Sequence, residues 1–159
     1  MRKFVLATVA SLTLAFGTTG AAHAQLIDKK TLSLAEAKKI VAAATIDATK
    51  NNLTIAVAIV DDGGHLVLFE RMDDTQVGSI DVAIRKARSA AFYRRPTKVF
   101  EDGVIAGRSV ILTLDNAMPI EGGLPLMVGA TLVGAIGVSG GTAPQDGVVA
   151  AAGAAAFGK

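Results

Sequence analysis

The chain has 159 residues, no cysteine and no tryptophan, 51% hydrophobic but only 4% aromatic side chains, and a formal charge of +2. The apolar content excludes a disordered chain, and the lack of cysteine excludes a disulfide framework, a cysteine zinc cluster and thiol catalysis. The shortage of aromatic rings argues against base stacking on single-stranded nucleic acid.

Residues 1–24 read as a secretory signal peptide. Met1-Arg2-Lys3 is basic, Phe4 to Phe16 is almost wholly apolar, Gly17 to Gly20 breaks the run, and Ala22-His23-Ala24 is a small-x-small site before Gln25. The apolar run is short of the roughly 20 residues a membrane-spanning helix needs. Cleavage would discard Arg2 and Lys3, so the 16 basic residues would fall to match the 14 acidic ones. A neutral chain has no general field to attract phosphate backbones, which disfavours nucleic acid as a partner. His23 leaves as well, and His65 becomes the only histidine. The expectation is a periplasmic or secreted protein with no membrane span after processing. Residues 25–159 show no repeat and no proline- or serine-rich linker, and so read as a single domain.

Ser33-x-x-Glu36 has capping-box spacing, and Leu34, Ala37, Val41, Ala44 and Ala48 share one helical stripe that Asn51-Asn52 closes. Leu53–Val60 and His65–Arg71 are β-rich runs joined by Asp61-Asp62-Gly63-Gly64, strong hairpin chemistry. A loop centred on Asp62-Gly63 sets Val60 opposite His65, Ala58 opposite Val67 and Ala56 opposite Phe69. Leu53, Ile55, Val57, Ile59, Leu66 and Leu68 then form an aliphatic face that packs under helices. The face with His65, Phe69 and Arg71 is mixed, and meets a ligand, a partner subunit or solvent.

Ser79 reads as the cap of a second helix with an apolar stripe of Ile80, Ala83, Ile84, Ala87 and Ala91, and Pro96 ends it. Asp81, Arg85, Lys86 and Arg88 read as its solvated face. Thr97–Ala106 is a weaker helical pattern, and residues 107–118 fit no single element. Leu124–Val128 and Thr131–Val138 flank Gly129-Ala130, a second hairpin with glycine at the first turn position. Gly134 and Gly137 imply a bulge or a close backbone approach in its last strand. Thr142, Pro144 and Gln145 mark the start of a final helix rich in alanine around Gly153. This order implies an α+β fold with an antiparallel sheet.

Several of these segments form a recognisable set. Val57-Ala-Ile-Val60-Asp61-Asp-Gly-Gly-His65-Leu-Val, Glu70-Arg-Met-Asp73 and Ala83-x-x-Lys86-Ala87 lie in the first half. Glu121-Gly-Gly-Leu-Pro-Leu126, Val133-Gly-Ala-Ile-Gly-Val-Ser-Gly-Gly141 and Gln145-Asp146 lie in the second. Over most of residues 31–157 the chain resembles the GlcG/HbpS-like family, which includes extracellular haem-binding proteins. The resemblance implies a profilin-like α+β fold with a five-stranded antiparallel sheet, assembly into homo-oligomers, and haem binding in some members. Other members accompany glycolate, glycerol or propanediol metabolism. The closely spaced glutamate pair of an iron-binding surface motif is missing here, so free-iron binding is not carried over.

His65 is the first candidate site residue and the candidate metal ligand, because neutral imidazole is a common ligand of haem iron. The competing reading is a turn residue that hydrogen-bonds to Asp61 or Asp62. Met72, Met118, Met127 and Tyr93 are second axial ligands or packing residues. Ser139, Gly140, Gly141 and Thr142 form the second candidate. There, main-chain N–H groups and a helix N-terminus suit a carboxylate, such as a haem propionate or a small hydroxy acid; otherwise they are a capped strand-to-helix turn. Glu121, Gly122 and Gly123 would line the same cleft, with Gly122 near Gly137. Arg71 would grip a carboxylate bidentately or pair with Asp73. No nucleophile elbow, Walker loop or two-histidine zinc site exists, so a catalytic role has little support. Two functional readings follow. One is an exported protein that binds haem to carry, buffer or report it to a sensor partner. The other is an enzyme or accessory protein for small hydroxy acids such as glycolate, with Asp146 or Glu121 moving a proton.

Overall fold

A computed structural model describes residues 25–159; the proposed signal peptide, residues 1–24, lies outside the described residues. The first helix, α1 (Leu34–Lys50), starts where the sequence places it: Ser33 is extended and its Oγ accepts from the Glu36 N–H at 3.2 Å. The Glu36 carboxylate turns toward the other end of the chain, accepting from the Gly158 N–H at 2.7 Å and pairing with Lys39 at 3.0 Å. The Gly158 N–H, with help from Lys39, holds the Glu36 carboxyl below the ordinary glutamate range. A carboxylate with a lowered folded pKa stabilises the fold above its unfolded value of about 4.3, and that contribution is lost as pH falls through the folded value. In an NMR titration the Gly158 amide is therefore expected to shift with a midpoint under about 4.3. A midpoint at or above that value would show that the carboxylate does not hold the C-terminal tail.

The Asp-Gly hairpin forms β1 (Ala56–Asp61) and β2 (Leu66–Arg71), with a register different from the expected one. Ala58 faces Phe69, Ile59 faces Leu68 and Val60 faces Leu66, with an irregularity between Ile59 and Val60. The cause is the loop. The Asp61 N–H donates to the His65 carbonyl at 2.9 Å, so residues 62–64 form a three-residue loop in which Gly64 takes the left-handed φ of 79°. The Asp61 carboxylate accepts from the Gly63 and His65 N–H groups, both at 2.9 Å, and locks the turn. The extra residue and the bulge together displace the pairing by two positions. Val67 and Leu68 both reach the aliphatic core, while Leu66 is exposed.

Two further helices, α2 (Ser79–Tyr93) and α3 (Lys98–Ile105), and a 3₁₀ turn (Ser109–Thr113) lead to β3 (Gly123–Val128), β4 (Thr131–Ser139) and α4 (Ala143–Ala154). Ser79 is the first residue of α2 and not its cap: Gly78 holds the cap position, and the Ser79 hydroxyl is turned inward to Ser139. The sheet is antiparallel in the order β2-β1-β4-β3. It has four strands, not the five implied by the family resemblance. Among the described residues the stretch before β3 supplies no strand, since Asn116 sits at a φ of 60° and Pro119 has no N–H to give a ladder. Gly129, at a φ of 59°, opens the second hairpin as expected. A register shift between Leu126 and Met127 then brings Gly123, rather than Gly122, opposite Gly137.

Helices cover both faces of the sheet. On one side Val57, Ile59, Ile136 and Val138 pack with Ile40, Val41 and Ala44 of α1 and Val149 and Ala150 of α4. On the other, Ala56, Ala58, Val60 and Ala135 pack with Ala83, Ala87, Ala90 and Ala91 of α2. The expected mixed face is thus closed by α2 and offers no ligand surface along β1. Small side chains let α2 lie close. A Cβ added to Gly137 would overlap the Ala83 carbonyl and stand 2.5 Å from the Ala87 nitrogen.

Candidate functional site

The buried stripe of α2 runs through Ser79, Ala83, Lys86, Ala87 and Ala90. Lys86 is therefore not on a solvated face: it is 1% exposed and points under the C-terminal end of β4. Its ammonium donates to the Asp146 Oδ2 at 2.7 Å and to the Val138 carbonyl at 2.9 Å. Asp146 is 3% exposed, and its other oxygen, Oδ1, accepts from the Gly141 N–H at 2.9 Å. Burial pushes the Asp146 carboxyl above the ordinary aspartate range, against the pull of Lys86 and of the Gly141 and Gly140 N–H groups. An ammonium this desolvated requires a counter-charge, and Asp146 supplies it.

The glycine-rich segments singled out in the sequence converge here. The Val138 N–H donates to the Gly122 carbonyl at 2.9 Å. A Cβ on Gly122 would lie 2.8 Å from the Lys86 Nζ and 2.9 Å from the Asp146 Cβ. Thr97 Oγ1 accepts from the Gly123 N–H at 2.9 Å, and the Ser139 and Ser79 hydroxyls meet at 3.2 Å. The Glu121 N–H donates to the Glu101 carboxylate at 2.6 Å, and the Glu121 side chain lies against Gly147. The Thr142 N–H is taken by the Gln145 Oε1 at 2.9 Å. So Glu121, Gly122, Gly123, Ser139, Gly140, Gly141 and Thr142 do share one corner, but the Gly141 and Thr142 amides meant for a ligand already serve Asp146 and Gln145. Sequence reading missed the Lys86–Asp146 pair. The 79-83-86-90 spacing was its signal, since these positions fall on one helical face.

His65 lies elsewhere. Ala56 pairs with Ser139 and Asp61 pairs with Gly134, so the Asp61–His65 turn stands five strand positions from the corner, about 17 Å at the usual rise per residue. Within one chain, His65 and the Ser139–Thr142 turn do not meet, which corrects the expectation of a joint site. His65 is exposed; Asp61 accepts from its main-chain N–H, and its ring lies beside Gly63. Next to it the Phe92 ring covers Gly64, and the Arg88 Nε donates to the Gly64 carbonyl at 3.2 Å. Arg71 pairs with Ala56; it is therefore level with Ser139 but two strands away, and exposed.

The other candidate ligands are packing residues. Met118 is buried, and its N–H donates to the Ser89 Oγ. Met72 and Met127 pack against the two cores. The Tyr93 hydroxyl donates to the Asp115 carbonyl at 2.6 Å, and its ring meets Phe100 edge-on. No cluster of three or more His, Asp or Glu side chains suited to a metal exists among the described residues. No helix among them is long and apolar enough to cross a membrane.

The paired glycine segments, the Lys86 that fills their corner and the Asp-Gly hairpin span the part of the chain, residues 32–155, that matches the family model described as "Haem degrading protein HbpS-like". The chain belongs to the HbpS-like family. Protein GlcG of Escherichia coli K12 is 43% identical over 111 residues, covering 70% of this HbpS-like chain and 83% of GlcG. The crystal structure of HbpS superposes with a TM-score of 0.80 at 28% identity, over 89% of this chain and 100% of that one. A crystal structure titled PduOC:Heme Complex gives a TM-score of 0.72 at 28% identity, over 80% of this chain and 96% of that one. The α+β fold of this HbpS-like chain is therefore similar to that of HbpS.

Proposed function

We propose that this HbpS-like protein is exported and binds haem, with His65 as the iron ligand, and so carries, buffers or hands on haem to a partner such as a sensor protein. The observation that carries this reading is the exposed imidazole of His65, the only histidine in residues 25–159, on a turn locked by the Asp61 carboxylate. Export rests on the signal pattern of residues 1–24, and the haem class on the family and its haem-complex relative. The surroundings suit such a ligand. Leu66 and Phe92 leave apolar surface exposed on either side of the turn, and Arg88, tied to the Gly64 carbonyl, supplies a cation for a propionate. Bound haem would supply the iron; the chain supplies the imidazole, the apolar contact and the cation. Exposed Val99, Ile105, Val110 and Leu112 give α3 and the 3₁₀ turn an apolar surface that suits a homo-oligomer. The hydroxy-acid reading loses its seat, since Asp146 is buried and paired and the Gly141 amide is taken.

Titrating residues 25–159 with hemin is expected to give a saturable Soret shift, and His65→Ala is expected to abolish it. A wild-type spectrum identical to free hemin would overturn haem binding, and an unchanged shift in His65→Ala would move the iron ligand elsewhere. Glycolate is expected to leave the melting temperature unchanged, because a ligand that binds the native state raises it.

A further inference from the structure

The corner between β4 and α4 has the makings of an anion-binding seat. It contains a desolvated ammonium, main-chain N–H groups from a glycine turn, and the N-terminal end of the α4 helix, where the macrodipole favours negative charge. All of these converge on the Asp146 carboxylate: Oδ2 takes the Lys86 Nζ at 2.7 Å and Oδ1 takes the Gly141 N–H at 2.9 Å. Among the described residues, the ammonium's other acceptor is a neutral carbonyl, that of Val138. The Glu121 carboxylate lies against Gly147, 4.0 Å from the Lys98 Nζ. Gly122 is what leaves the room, since any side chain there would collide with both partners of the pair.

We propose that this corner is a self-occupied carboxylate site: Asp146 is its internal ligand, and a chain deprived of that carboxylate will take up a small monocarboxylate from solution in its place. The occupant joins three separate stretches of chain, α2 through Lys86, the turn after β4 through Gly141, and α4 through Asp146 itself. The internal carboxylate thus works as a latch that fixes the glycine corner. The proposal does not depend on haem binding, and its test uses no haem.

Size provides the discrimination. Asp146→Ala keeps the Cβ and removes one carboxylate, leaving a hole that matches formate. Asp146→Gly removes the Cβ as well, leaving a hole that matches acetate. Both variants are expected to melt well below the wild type in sodium chloride. Replacing chloride with formate at equal ionic strength is expected to restore most of the lost melting temperature of Asp146→Ala, saturably, with acetate ineffective. Asp146→Gly is expected to respond to acetate. Wild type and the double variant Lys86→Met, Asp146→Ala are expected to show no carboxylate-specific gain. Equal melting in chloride, formate and acetate for both single variants would overturn the proposal, as would an equal formate gain in the double variant. Should Asp146→Ala collect in inclusion bodies, its refolding yield from urea becomes the readout. A higher yield in formate than in chloride supports the seat, and equal yields overturn it.

Discussion

Lys86→Ala is expected to cost about 3–5 kcal/mol of folding stability, the usual cost of breaking a buried ion pair from one side. The change leaves the Asp146 carboxylate in a site with 3% exposure, facing only main-chain N–H groups of the glycine turn and no counter-charge. Domains of this size hold only about 5–15 kcal/mol in total, so the variant would lie close to the unfolding threshold. Urea unfolding followed by circular dichroism measures it. Replacing both partners at once, Lys86→Met with Asp146→Leu, is expected to recover much of the loss, because a buried pair and an apolar pair of similar volume are often of similar stability. If the single change cost under about 1 kcal/mol, in the range of exposed pairs, the ammonium would have to be reaching water.

Gly137→Ala is expected to be the second severe change. An added methyl would overlap the Ala83 carbonyl and press on the Ala87 nitrogen, both main-chain atoms of α2 that no rotamer change can move. Overpacking of a core costs about 1–3 kcal/mol, and rigid backbone on the receiving side places this site at about 3. Gly78→Ala is the matched control: a Cβ there meets nothing within 4 Å, and its effect is expected to stay within about 0.5 kcal/mol. Equal melting of the two variants would mean that α2 does not rest on β4 as closely as described.

The parts of the fold that could be read in the sequence are those fixed by local chemistry. The Ser33 cap, the Asp-Gly and Gly-Ala turns and the Thr142–Gln145 spacing each satisfy nearby main-chain groups, and each appears where the residues indicate. Register was less accessible. Both hairpins carry an irregularity, at Ile59/Val60 and at Leu126/Met127, and a bulge depends on strand twist and packing rather than on its own residues. The corner was half legible. The glycines of residues 121–123 and 139–141 announced a close approach, but not what fills it. Lys86 read as solvated because lysine usually is. Its partner lies 60 positions away, joined to it only once α2 lies on β4. The separation of His65 from that corner follows from the β1–β4 pairing, which sequence spacing does not report.

That separation divides labour within the molecule. The charges on which folding depends sit at one extremity of the sheet, and the imidazole with its exposed apolar flanks sits at the other. A substitution in the outer loop therefore leaves the buried Lys86–Asp146 anchor untouched.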